Sequence, residues 1–115
     1  MKYILTITMI FLTACFSNIS AVNADNKTYT KSSIEELTVY TNPRCGYCKR
    51  LEAFLDKNKV PYTRKDVTSD EIASKEFYEL GGSGTPFSIL KTKEGTQKIK
   101  GYNTAIFSAI AAAYK

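Results

Sequence analysis

Cys45 and Cys48 are the residues of this chain best equipped for chemistry. They stand in Cys45-Gly46-Tyr47-Cys48, and two thiols at that spacing can close and reopen a disulfide. The attacking species in disulfide exchange is the thiolate, so what surrounds each sulfur decides what it does. Leu37 to Thr41, short, apolar and β-branched, precede the pair and are bounded by Asn42-Pro43; they read as a strand. After it, Cys48, Leu51 and Leu55 recur at helical spacing with Phe54 beside them, which predicts a helix from residue 46 to about 58. The pair therefore falls where a strand hands over to a helix. A helix N-terminus presents unpaired N–H groups and the positive end of the macrodipole, both of which favour a thiolate. Cys45 is expected to ionise below the free value of about 8.5, with Arg44 and Lys49 adding to the effect if they point inward. Cys48 shares a face with Leu51 and Leu55 and is expected to be shielded. The roles follow: Cys45 attacks a target disulfide, and Cys48 resolves the mixed disulfide that results.

Composition removes most competing chemistry. The chain of 115 residues has no histidine. That excludes Ser-His-Asp and Cys-His catalysis and any histidine metal ligand. Three cysteines are present, and Cys15 lies in the leader described below. The two that remain cannot complete a four-ligand zinc site. A disulfide across so few residues closes too small a loop to be worth much as a staple. The net charge is +5, from 16 basic and 11 acidic residues. The lysines are interleaved with acids and form no stripe, so nucleic acid is not an expected partner.

Stepping outward from the pair, Pro61 marks a restart and Tyr62 to Val67 fit a second strand. Thr68-Ser69-Asp70-Glu71 matches a capping box opening a second helix, with Ala73, Phe77 and Leu80 on one face and Gly81 as its stop. Phe87 to Leu90 and Thr96 to Lys100 read as strands joined by the short turn Lys93-Glu94-Gly95. Asn103 or Thr104 caps a last helix with Ile106, Ile110 and Ala113 turned inward. The predicted class is α/β, in the order β-α-β-α-β-β-α: a mixed four-stranded sheet with flanking helices. A second feature is Gly81-Gly82-Ser83-Gly84-Thr85-Pro86, before the third strand. It reads either as an ordinary turn or as a loop built on a cis-proline at Pro86.

Residues 1–24 read as an export signal. Met1-Lys2 gives a minimal positive start, and Tyr3 to Phe16 is an uncharged, mostly apolar run, too short to span a bilayer. Val22-Asn23-Ala24 suits cleavage of a soluble secreted protein. Leu12-Thr13-Ala14-Cys15 equally suits a lipobox, with a lipid on Cys15. Either way the expected location is outside the cytoplasm, in the periplasm or cell envelope, soluble or tethered. Residues 25–34 read as a polar linker and 35–115 as the folded domain.

Residues 36–115 resemble glutaredoxins, and the predicted element order is that of the minimal thioredoxin fold. The resemblance rests on Val39-Tyr40-Thr41, Cys45-Gly46-Tyr47-Cys48-Lys49, Gly84-Thr85-Pro86 and Lys100-Gly101-Tyr102-Asn103. It implies glutathione- or dithiol-linked disulfide reduction, with Cys45 as nucleophile, Cys48 as resolving thiol and Pro86 as a cis-proline facing them. It implies substrate contacts at Arg44, Tyr47, Lys49, Thr85, Gly101 and Asn103. The chain departs from the family in having Gly46 where proline is usual, Thr85 where valine is common, and Gly101-Tyr102-Asn103 in place of a Gly-Gly…Asp segment. No metal, flavin or nucleotide is expected, and glutathione is a candidate reductant. The expected partners are disulfide-containing proteins or glutathione and a membrane redox protein, with the chain acting as a monomer. Two rival readings use the same cysteines for binding and delivery. One is an iron–sulfur cluster, which Gly46 permits. The other is copper(I), which soft thiolates suit, though both methionines, Met1 and Met9, lie in the leader.

Overall fold

The computed structural model describes residues 27–115. The expected leader, with Cys15 and its two alternative processing sites, lies outside them. The order is β1 (Ile34–Thr41), α1 (Gly46–Lys57), β2 (Thr63–Asp66), α2 (Glu71–Glu79), β3 (Phe87–Thr92), β4 (Gly95–Lys100) and α3 (Thr104–Ala112). The sheet runs β2-β1-β3-β4. β1 and β2 are parallel, and β1–β3 and β3–β4 are antiparallel. This is the mixed four-stranded α/β arrangement expected from the sequence.

The sheet has helices on both faces, which is why β1 reads as a continuous apolar run: from Leu37 to Thr41 every residue is buried. One face carries the main core, where Leu37, Val39 and Leu90 of the sheet meet Leu51 and Leu55 of α1 and Phe107 and Ile110 of α3. Complete burial of a leucine or phenylalanine side chain contributes about 1.5–3 kcal/mol, so these residues fix α1 against the sheet. The other face is smaller: Tyr40, Phe87 and Ile89 pack on Phe77 of α2. A polar tie joins three elements there, since Tyr40 Oη and Lys65 Nζ both donate to Glu76 Oε2, at 3.0 and 2.7 Å.

α2 ends as a Schellman turn. The Gly82 N–H donates to the Phe77 carbonyl at 2.8 Å and Gly81 N–H to that of Tyr78 at 3.1 Å, with Gly81 at φ 87. Both glycines are required, for different reasons. Gly81 holds the left-handed conformation, and at Gly82 a Cβ would run into the Phe77 ring.

Several sequence expectations are corrected. The capping box does not form. Asp70 is the N-cap of α2, its Oδ1 accepting from Ile72 and Ala73 N–H, while Thr68 is held in the preceding turn by Asp66 Oδ1. A carboxylate adjacent to the first turn satisfies two orphan donors and outcompetes a hydroxyl two residues earlier. In α3 the inward face is Phe107, Ile110 and Ala111, with Ile106 and Ala113 only partly buried. The described part of the expected linker is not free chain either. Tyr29 is 5% exposed within the main core and donates to Gln97 Oε1 at 2.6 Å. A polar stretch gave no periodicity from which a single inserted tyrosine could be read.

β1 begins and α3 ends at the pole of the sheet opposite the cysteines. There Lys31 Nζ lies 5.8 Å from the Tyr114 ring centre. Ile34, Tyr62 and Tyr114 help line a cleft of about 450 Å³.

Candidate active site

The C-terminal ends of β1 and β4, the start of β3 and the first turn of α1 converge at one pole of the sheet. Tyr40 lies opposite Phe87, and Phe87 opposite Lys100. Asn42-Pro43 ends β1, and the Cys45 N–H donates to the Asn42 carbonyl at 3.0 Å, which turns the chain into α1. Cys45 is the N-cap residue of α1, and its Sγ accepts from the Cys48 N–H at 3.1 Å. Serine, threonine, asparagine or aspartate usually holds this position through an oxygen; here sulfur does. The cap is thus a thiol.

Both cysteines are free thiols, Cys45 half-buried and Cys48 fully buried. Their environments push them apart. Burial acts to raise the Cys45 thiol, but the Cys48 and Thr85 side chains and the Cys48 and Tyr47 amides together outweigh it, so its pKa lies below the ordinary value. Burial raises the Cys48 thiol, and its bond with Cys45 raises it further; Thr41, Thr85 and the Asn42 backbone oppose this without cancelling it. One thiol is shifted toward its thiolate and the other toward its protonated form. Alkylation should show this directly. Cys45 is expected to react with iodoacetamide along a pH curve whose midpoint falls below that of an ordinary cysteine, and Cys48 only at higher pH. Mass mapping of the alkylated sites checks it, and a shared midpoint would contradict the asymmetry.

The Thr85–Pro86 bond is cis. The Thr85 carbonyl accepts from the Cys45 thiol at 3.4 Å, so the loop faces Cys45. Pro86 is buried at the head of β3, and its carbonyl accepts from the Gly101 N–H at 2.8 Å. Gly101 takes φ 70, a conformation that glycine adopts without strain. Asn103 caps α3, its Oδ1 accepting from the Ile106 N–H at 3.1 Å.

Beside Cys45 these residues form an open groove of about 410 Å³. Tyr47, Thr85, Pro86, Gly101 and Asn103, all expected from the sequence, line it together. Lys100 and Tyr102 line it too and were not singled out. They flank Gly101 in the quoted segment, and the sign was there in β4 ending beside the proline loop. Tyr102 is held by its neighbours: its ring lies 6.0 Å from that of Phe54 and 5.9 Å from that of Phe107. Arg44 and Lys49 do not join the groove. Both are exposed, and the lowering of the Cys45 thiol comes from Cys48, Thr85 and backbone amides. A side chain on the outer surface of the first turn is solvated, so the inward pointing on which their contribution depended does not occur. Among the described residues no group of three histidine, cysteine, aspartate or glutamate side chains is placed to hold a metal ion.

Comparison with known proteins agrees with this geometry. The Glutaredoxin family model matches residues 37–86, from β1 through the proline loop. The chain is similar to the global transcriptional regulator Spx 1 of Bacillus cereus, 26% identical over 74 residues, covering 64% of this chain and 50% of that protein. It is also similar to the global transcriptional regulator Spx of Listeria innocua, 27% identical over 63 residues, covering 55% of this chain and 42% of that protein. The chain thus spans about half the length, or less, of these curated relatives. Among solved structures, the thioredoxin-like protein BC3987 superposes with a TM-score of 0.56 at 26% identity, over 65% of this chain and 99% of that one. The strand-to-helix dithiol, the cis-proline loop facing it, the shared fold and the family match together make this chain a glutaredoxin-like protein of the thioredoxin superfamily.

Proposed function

We propose that the chain is a thiol–disulfide oxidoreductase acting on disulfides of proteins or of glutathione, with Cys45 as nucleophile and Cys48 as resolving thiol. The observation that carries this is the pair's asymmetry: a half-exposed, hydrogen-bonded Cys45 at the helix cap and a fully buried Cys48 one turn further in. The Cys45 thiolate attacks one sulfur of a substrate disulfide. That bond breaks, its other sulfur leaves as a thiolate and takes up a proton, and Cys45 is left in a mixed disulfide. Cys48 then gives up its proton and attacks Cys45 Sγ, releasing the second substrate thiol and closing the Cys45–Cys48 disulfide. The substrate gains two electrons, which the pair loses, and an external dithiol or two glutathione molecules restore it. Tyr47, Thr85, Gly101 and Asn103 border the space the substrate occupies, and Pro86 holds the loop beneath it. The leader supports work outside the cytoplasm, in the periplasm or envelope, with a membrane redox protein as electron partner.

The test is turnover with two reductants against one protein disulfide. Exchange is expected to be faster with a protein dithiol than with glutathione, because Asn103 stands where the family carries an acid and only one glycine of the usual pair remains. No turnover with either reductant would sink the oxidoreductase reading.

A further inference from the structure

The pole that carries Cys45 is electrically divided. β2 and β4 are the two edges of the sheet, and both end at this pole. On the β2 flank stand Asp66, which ends the strand, and Asp70 and Glu71, which open α2. On the other flank stand Lys100, at the end of β4, and Arg50 of α1, beside the groove residue Tyr47, both exposed. The ion pairs of the described residues, Arg64–Glu52, Lys65–Glu76, Lys75–Glu79 and Lys91–Glu36, involve none of these cations. The Arg50 guanidinium instead lies 5.3 Å from the ring centre of Tyr47, an exposed aromatic on the wall of the groove. That wall and floor include Lys100 and no carboxylate.

Screening does not erase the division. Asp66 and Lys100 are separated by three strand spacings, about 14 Å, while the Debye length at physiological ionic strength is about 8 Å. A substrate on one flank therefore feels mainly the charges of that flank. Clefts lined by one sign of charge raise the encounter rate of the opposite sign by about tenfold or more, an effect that salt removes.

We propose that this pole selects protein disulfides flanked by acidic residues, which it seats in the groove against Lys100 and Arg50, away from Asp66, Asp70 and Glu71. The inference rests on the oxidoreductase reading and names its substrate class. The occupant is an extended polypeptide segment with carboxylates beside the disulfide, since the groove is open and is lined by Tyr47 and Tyr102, against which main chain can lie.

The test uses the unaltered chain and three peptides sharing one disulfide, flanked by glutamate, glutamine or lysine. Second-order exchange rates are measured by stopped flow at low and at high salt. The expected order is glutamate above glutamine above lysine, with about a tenfold spread from first to last that collapses at high salt. Lys100→Glu combined with Arg50→Glu is expected to invert the order. Equal rates for the three peptides, or a spread indifferent to salt, would overturn the selection and leave the exchange chemistry standing. Exchange with none of them would overturn both.

Discussion

Replacing Cys48 by serine is expected to trap client proteins on Cys45 as mixed disulfides, whereas Cys45→Ser should trap none and lower exchange to the uncatalysed background. The two sulfurs are close in sequence and far apart in situation. Cys45 caps α1, meets solvent and ionises easily; Cys48 is fully buried on the face of Leu51 and Leu55 and ionises late. An incoming disulfide can reach only the first. Once it is bound, only the second lies where it can strike the back of the new S–S bond, so removing it leaves the adduct without its internal exit. Non-reducing electrophoresis of each variant after alkylation in intact cells reads the result. Equal trapping by both variants would show that the assigned division of labour is wrong.

Phe107→Ala is expected to be the most damaging substitution away from the cysteines, costing about 3–5 kcal/mol. Domains of this length lose roughly 4–8 °C of melting temperature per kcal/mol, so the fall should exceed about 10 °C. The side chain is fully buried in the main core and is edge-on to Tyr102 with the rings at 88°. Tyr102 lines the groove beside Cys45, and a cavity beneath it should loosen that wall as well. Ile106→Ala, one residue earlier and only partly buried, should cost clearly less. Thermal melts of the two variants make the comparison, and similar losses would mean that the phase of α3 is not the one described here.

That phase is also where sequence reasoning failed. Thr104 to Ala112 is apolar nearly all round, so periodicity could not choose between Ile106 and Phe107; complete burial in the main core does. α1 was legible because its apolar residues fall on one stripe with lysine, arginine and acids opposite. The site divides in the same way. Cys45, Cys48 and Pro86 were identified because a thiol pair and a proline sit at junctions between elements. Lys100 and Tyr102 enter the groove only because β4 pairs with β3 in a register that sets Lys100 opposite Phe87, and register is a property of two strands together. Arg44 and Lys49 were chosen for their charge and their nearness along the chain. Neither property says which way a side chain on the first helical turn points.

The contact between Lys31 and Tyr114 has a practical meaning for how this domain can be handled. It brings the entry and exit of the folded chain to one pole, a strand length of about 26 Å from the pole that holds the thiols. Close termini are what make end-to-end fusion and circular permutation workable. A second protein inserted between Lys31 and Tyr114 in a permuted chain therefore sits at the pole away from the groove beside Cys45.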